Sequence, residues 1–406
     1  HSAQTGRARP RFSVASQREI FYIPHIVVIS SGITIPFFPS QPRRSNHTPL
    51  MKLSAFPALA GLLLAATQMA AAEPTVKIRT DYPGGNAMVG AIEPGIARVA
   101  PDLRTTKTPW FYWDFAAESS GPGEVTFVLP AGKVGTRGPA ISEDGGATWR
   151  WLGADAVRYA PPKATEAPQE DQFSYTFSAA GQSVRFAVGF PYVQADLDAF
   201  LKAQAGNPNL KTSVLATTLG GRPVELLQIG NPGPGITPVL VAARSHACEA
   251  LASYVLEGFL EEAMSATPVG EEFRRKHVLF AAPILDKDGV QNGDQGKNRD
   301  PHDHNRDYGP ANLYPEIKAL QELGAREKVQ IAIDFHCPAL RGDIHEAFHW
   351  LGLKIPHIST NANELSDWVG QERPGLANKP LNFLSEPKSP QPVENIPFSW
   401  YFAAQN

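Results

Sequence analysis

Three side chains in this sequence have the types and spacing to hold one metal ion. The apolar run Val239 to Ala243 leads through Arg244 and Ser245 to His246, and Glu249 follows three residues later. Positions i and i+3 of a helical turn share a face, so one imidazole and one carboxylate can meet a single ion. A second apolar run, Gln330 to Phe335, ends on His336. Two histidines and one glutamate leave the fourth position of a tetrahedral zinc ion open, which is the pattern of a catalytic rather than a structural zinc. The competing reading of His246 and Glu249 is a surface pair at the start of a helix.

The elements around these residues must bring them together. From about residue 193 the sequence alternates strand and helix patterns. A helix is expected near Asp196 to Ala205, then a hairpin of Val214 to Leu219 and Val224 to Ile229 turning at Gly220-Gly221. A buried strand, Val239 to Ala243, should lead into a helix from Cys248 to Ala263 with Leu251, Tyr254, Val255 and Phe259 at helical spacing. A strand from His277 to Leu285, a helix near Ile317 to Leu323 and a strand from Gln330 to Asp334 follow. Near-continuous apolar strands between helices predict an α/β domain with a mixed sheet flanked by helices. Such sheets bind ligands beyond the carboxyl ends of their strands, where His246 and His336 both fall.

Residues 73–192 read differently. Short runs such as Trp110 to Trp113, Glu124 to Leu129 and Ser183 to Val188 are separated by turn signals, among them Gly84-Gly85-Asn86 and Asp144-Gly145-Gly146. This spacing predicts a small all-β sandwich. Its aromatic residues are expected to pack between two sheets rather than to form an exposed sugar-binding face.

Before residue 73 the sequence resembles a targeting segment. Lys52, the apolar stretch Leu53 to Ala66 and Ala70-Ala71-Ala72 fit a secretory signal peptide over residues 51–72, too short to span a membrane. Residues 1–50 would then be translation from upstream of the true start. The expectation is an exported protein, periplasmic or secreted, with no stable membrane anchor after cleavage. The first 72 residues carry seven of the 37 Lys and Arg and one of the 40 acids, so the remainder has a net charge of −9. An acidic chain of this kind is not built to follow phosphate backbones, which excludes nucleic acid as the expected partner.

Between the proposed ligands lies a stretch from Asp286 to Tyr308 that is dense in charge and short of apolar anchors. It is either a solvated loop or a set of cations and carboxylates delivered to the same sheet edge as the metal. His246-x-x-Glu249, Asp288-Gly289, Arg299, Asp303-x-Asn305-Arg306 and Asp334-Phe335-His336, taken in order, resemble the zinc carboxypeptidase family, particularly its cytosolic-carboxypeptidase-like branch. The resemblance covers roughly residues 75–406. It implies a zinc-carboxypeptidase-like sheet preceded by a β-domain, zinc as cofactor, and peptides with a free C-terminal carboxylate as substrates.

It also implies roles by position. His246, Glu249 and His336 would bind zinc. Arg299 would polarise the scissile carbonyl, and Asn305 with Arg306 would grip the terminal carboxylate. Asp303 would accept the far N–H of His246 and fix its tautomer. The physical chemistry agrees, since a planar arginine reads a carboxylate with two parallel hydrogen bonds. The family further uses a glutamate on a late strand to take a proton from the attacking water. No such glutamate is evident after Pro397, and Glu394 lies in a Pro-rich stretch. The catalytic domain, residues 193–406, is therefore expected to be incomplete at its C-terminus, and the chain as written to hydrolyse little.

Cys248 and Cys337 are the only cysteines, and each borders a proposed ligand. They form either a disulfide joining the two ligand-bearing segments or two buried thiols. Two other functions stay open beside the carboxypeptidase reading. One is a zinc-dependent acyl-amino-acid hydrolase of the desuccinylase or aspartoacylase type. The other is a non-catalytic zinc or envelope-binding protein. Side-chain specificity and oligomeric state are not legible.

Overall fold

The computed structural model describes residues 26–31, 72–160, 170–337, 348–352, 356–372, 378–380 and 396–404. Residues 51–71 of the stretch proposed as a signal peptide, Glu394, and all of residues 1–50 except Ile26–Ser31 lie outside the described residues. Among the described residues no helix is long and apolar enough to cross a membrane.

Two five-stranded sheets form the first part of the fold. One runs Met88–Glu93, Ile96–Ala100, Gly123–Pro130, Glu170–Phe177, Val157–Arg158. The other runs Val76–Arg79, Asp114–Ser119, Ser183–Ala187, Ala140–Ser142, Arg150–Trp151. Alternation places every second residue of Glu170–Phe177 inside, with Asp171, Phe173, Tyr175 and Phe177 buried. Phe127 and Phe173 stack with ring centroids 5.0 Å apart, and Phe186 lies 4.8 Å from Phe127. The aromatic residues thus fill the space between sheets, as their pattern implies. The run Trp110 to Trp113 is not a strand. The strand starts at Asp114, and Trp113 ends its approach fully buried with its indole N–H donated to the Lys133 carbonyl at 2.7 Å.

The second part is an α/β unit on an eight-stranded mixed sheet. Its order is Leu210–Thr217, Pro223–Ile229, His277–Ala282, Thr237–Ala243, Ile331–His336, Ile26–Ser31, Phe348–Gly352, Asn378–Pro380. Thr237–Ala243 pairs in parallel with both His277–Ala282 and Ile331–His336. Ile26–Ser31, from the stretch expected to precede the protein, lies antiparallel to Ile331–His336 and parallel to Phe348–Gly352.

The central strands are apolar on both faces because both are covered. Val239, Val241 and Ala243 join Leu279, Ala281, Ile331 and Ile333 in a core that includes the helices Gln194–Ala203 and Leu251–Met264. Leu240, Ala242, Val278, Phe280 and Ala332 face the other way, against Ile317, Leu320 and Leu323 of the helix Pro315–Glu327 and Phe398 and Phe402 of the helix Phe398–Ala404. A period of two along each strand produces this division.

The polar stretch is ordered rather than solvated. Asp286 caps a short helix, Lys287–Asn292, by accepting from the Gly289 N–H at 2.9 Å. Asp286, Lys287, Val290, Gln295, Asp303 and His304 are all buried. Much of the support comes from the β-sandwich. Gln295 accepts from the Tyr112 N–H at 2.9 Å and donates to the Tyr112 carbonyl at 2.8 Å. Asn86 donates to the Gly293 carbonyl at 2.7 Å, and Arg104 pairs with Asp294 at 3.0 Å.

Candidate metal centre

The parallel strands Thr237–Ala243 and Ile331–His336 end side by side. The first delivers His246 through a tight turn, in which Arg244 takes a left-handed backbone (φ 61°) and its buried guanidinium donates to the Ala247 and Tyr192 carbonyls. Glu249 follows at the approach to the helix Leu251–Met264. The second strand carries His336 as its last residue.

His246, Glu249 and His336 each offer one ligand atom, and these atoms lie within 4.8 Å of one another. Glu249 bridges the two rings. Its Oε1 is 3.0 Å from His246 Nδ1, and its Oε2 is 2.7 Å from His336 Nδ1. All three residues are at most 5% exposed. Burial opposes ionisation of Glu249, yet the two imidazoles hold its carboxyl well below the usual range. Burial also opposes a charge on His336, but the carboxylates of Asp334 and Glu249 push it up to about 10. A place that favours positive charge this strongly, lined by two imidazoles and a carboxylate, fits a zinc ion, whose ligand atoms lie about 2.0–2.2 Å from the metal.

Each ring is also held from behind. His336 Nε2 is 2.7 Å from Asp334 Oδ2, and Asp334 accepts from the Ser245 hydroxyl at 3.0 Å. His246 Nε2 is 3.6 Å from Asp303 Oδ1, while the other Asp303 oxygen accepts from the Asn298 N–H at 2.8 Å. Burial raises the Asp303 carboxyl, but His246, Lys297 and Arg306 outweigh it and hold it low. A carboxylate thus stands behind each ring, an arrangement that would fix which nitrogen faces a bound ion.

The three polar residues expected to meet a substrate fare differently. Arg306 is half-buried and donates to the Asn305 carbonyl at 2.8 Å. Among the described residues it forms no ion pair. Asn305 is held between two partners, its Nδ2 3.2 Å from His336 Nε2 and its Oδ1 accepting from the Phe398 N–H at 3.0 Å. Arg299 makes a two-pronged pair with Asp286, at 2.8 and 3.2 Å, and reaches Asp294 at 3.3 Å. Burial works against the Arg299 charge, but these carboxylates raise its pKa further above the usual arginine range.

Sequence reasoning gave no role to Asp334, Asp286 or Lys297, whose Nζ is 3.4 Å from His246 Nε2. Asp334 carried a signal, an acid inside an otherwise apolar strand end. The other two were hidden in a uniformly charged stretch.

The disulfide alternative is corrected. Cys248 and Cys337 are both buried and are not joined by a disulfide. They belong to different cores: Cys248 faces the sandwich and accepts the Trp110 indole N–H at 3.0 Å, whereas Cys337 packs with the α/β core. Burial pushes the Cys248 thiol well up.

Residues 197–316 match the zinc carboxypeptidase family model. Those residues thus carry the sequence pattern of a zinc carboxypeptidase domain. The matched span contains His246, Glu249, Arg299, Asp303, Asn305 and Arg306, and His336 lies just beyond it. The chain is 26% identical over 264 residues to cytosolic carboxypeptidase 2 of Xenopus tropicalis, covering 58% of this chain and 27% of that protein. It is 34% identical over 178 residues to cytosolic carboxypeptidase 2 of Homo sapiens, covering 39% and 19%. The chain thus spans about a quarter or less of the length of these two curated relatives. A solved metallo-carboxypeptidase of Pseudomonas aeruginosa, in complex with (2-guanidinoethylmercapto)succinic acid, shares the carboxypeptidase fold at a TM-score of 0.51, with 24% identity over 62% of this chain and 67% of that one. These relatives also correct the expected location. They are cytosolic by name, so the exported, periplasmic or secreted placement drawn from residues 51–72 is withdrawn.

Proposed function

We propose that this chain is a zinc-dependent metallocarboxypeptidase that hydrolyses the C-terminal peptide bond of peptides. The reading is carried by one juxtaposition. A buried two-His, one-Glu cluster stands beside Arg306, whose neighbour Asn305 is 3.2 Å from His336 and which has no ion-paired carboxylate among the described residues. A substrate's terminal carboxylate is the partner such a guanidinium accepts well.

His246, Glu249 and His336 hold the ion, with Asp303 and Asp334 orienting the rings. A bound zinc ion supplies Lewis acidity, polarising the scissile carbonyl and making water nucleophilic at neutral pH. Arg306 binds the terminal carboxylate and sets the register of the peptide. Asn305 supports the wall between His336 and the helix Phe398–Ala404. Arg299 offers N–H donors to the oxygen on which negative charge develops. The β-sandwich, residues 73–192, acts as a buttress for the loop that carries both arginines, and residues 193–406 form the catalytic domain. The names of the relatives support a cytosolic setting.

The test is release of the terminal residue from a panel of blocked dipeptides, with and without a zinc chelator. Chelator-sensitive release is expected, slow in the chain as written because no glutamate is assigned to take the proton from the attacking water. Zinc bound at one equivalent with no release from any peptide would move the assignment to an acyl-amino-acid hydrolase or a binding protein.

A further inference from the structure

Behind Arg299 lies a row of buried ionisable groups that the proposed chemistry does not use. Asp286 is fully buried and makes the two-pronged pair with Arg299. Beyond it, His304 is 2% exposed and stacks on the Tyr314 ring with centroids 3.7 Å apart. His304 Nε2 is 2.7 Å from Oε1 of the equally buried Glu316, on the helix Pro315–Glu327. The other ring nitrogen, Nδ1, has no hydrogen-bond partner and stands 3.9 Å from Asp286 Oδ1. Glu316, His304, Asp286 and Arg299 therefore form a line in which every adjacent pair is in contact except one.

The fold keeps this line free of obstruction. A Cβ at Gly289 would meet Asp286 Oδ2 at 2.4 Å and Arg299 Nη2 at 2.6 Å. A Cβ at Gly296, whose φ is +76°, would meet the Ala247 nitrogen at 2.4 Å and Asp286 Oδ2 at 2.8 Å. Both glycines thus leave open the space beside the Asp286 carboxylate that a Cβ would fill.

We propose that His304 is a positioning residue for Arg299, acting through Asp286. To stabilise an oxyanion, Arg299 must give up part of its pair with Asp286. A buried carboxylate that loses its partner is strongly destabilised. A small movement of the His304 ring brings Nδ1, 3.9 Å away and without a partner of its own, onto Asp286 Oδ1 to replace the lost donor, while Glu316 holds the far side of the ring. Arg299 is thereby held by Asp286 in the resting enzyme and released toward the substrate as charge develops.

The inference rests on the reading of Arg299 as a transition-state donor, so both are tested together in the zinc-loaded full chain. In His304→Asn the amide nitrogen stands where Nδ1 stood. In His304→Gln it stands where Nε2 stood, and the donor toward Asp286 is gone. His304→Gln is expected to lower kcat about tenfold with KM nearly unchanged, less than direct loss of an oxyanion donor. It should weaken binding of a peptide phosphonate, a tetrahedral anion, by the same factor and leave binding of the free product unchanged. His304→Asn should recover most of both losses although it gives up the Glu316 contact. Equal effects of the two substitutions, or none from either, while Arg299→Ala abolishes phosphonate binding, would overturn the role of His304 alone. Undiminished phosphonate affinity in Arg299→Ala would overturn the reading of Arg299 and this inference with it.

Discussion

The β-sandwich and the carboxyl edge of the α/β sheet are both closed to solvent, but they bury opposite kinds of side chain. Between the sandwich sheets lie Trp113, Phe115, Phe127, Phe173 and Phe186, which need only volume and offset ring packing. At the sheet edge lie His246, Glu249, Asp286, Asp303, His304, Glu316, Asp334 and His336. Each of these is tolerated because a neighbour of opposite charge or a hydrogen-bond donor faces it. Changes in the sandwich should therefore alter stability, and changes at the edge should alter what the protein binds.

Glu249→Ala should break this comparison open most widely. It removes the bridge between His246 and His336 and the acceptor of the Cys337 N–H. Zinc should be lost on dialysis, as read by metal analysis, along with all chelator-sensitive hydrolysis. Phe127→Ala is the matched change in the sandwich. It should cost about 3–5 kcal/mol in denaturant unfolding while the folded fraction keeps its zinc. Equal zinc retention in the two variants would contradict the division of labour.

Arg306→Ala comes next. Loss of charge-assisted hydrogen bonds of about 1.5–3 kcal/mol should lower kcat/KM roughly 10–100-fold on free-acid peptides, with no change in metal content. Gln295→Ala then tests where the two regions meet. It leaves the Tyr112 N–H and carbonyl without partners, which should cost about 1–3 kcal/mol and loosen the arginine-bearing loop. A variant that loses stability but keeps full activity would show that the sandwich does not position that loop.

Much of the α/β scaffold was legible because its pattern is local. Apolar strands and helical spacing placed Thr237–Ala243, Leu251–Met264 and Ile331–His336 to within a few residues, and with them the three proposed ligands. The polar loop was not legible in the same way. Its order depends on Tyr112, Asn86 and Arg104, which lie about two hundred residues earlier in the chain. No periodicity reports such contacts. The strand Trp110 to Trp113 was misread because four aromatic residues satisfy strand propensity even where the chain is only entering the sheet. The disulfide stayed open because two cysteines beside two neighbouring ligands need not share a core.

The smallest effect concerns Glu257, on the helix Leu251–Met264. Burial pushes its carboxyl up to about 7, even though the Tyr192 hydroxyl donates to it at 2.6 Å. A glutamate free in water titrates at about 4.5. The folded protein therefore binds the extra proton between about pH 4.5 and 7, and Glu257 lowers stability as pH rises through that window. Glu257→Gln should flatten the change by roughly 1–2 °C in Tm, as read by thermal scans across it.

The central claim is that a buried two-His, one-Glu zinc site and the Arg306 cation together read and cleave at a free C-terminus. The most direct test offers one blocked peptide as its free acid and as its C-terminal amide to the zinc-loaded chain. The account predicts release of the terminal residue from the acid alone, abolished by chelation and restored by added zinc. Equal cleavage of acid and amide, or cleavage that survives complete zinc removal, would contradict it.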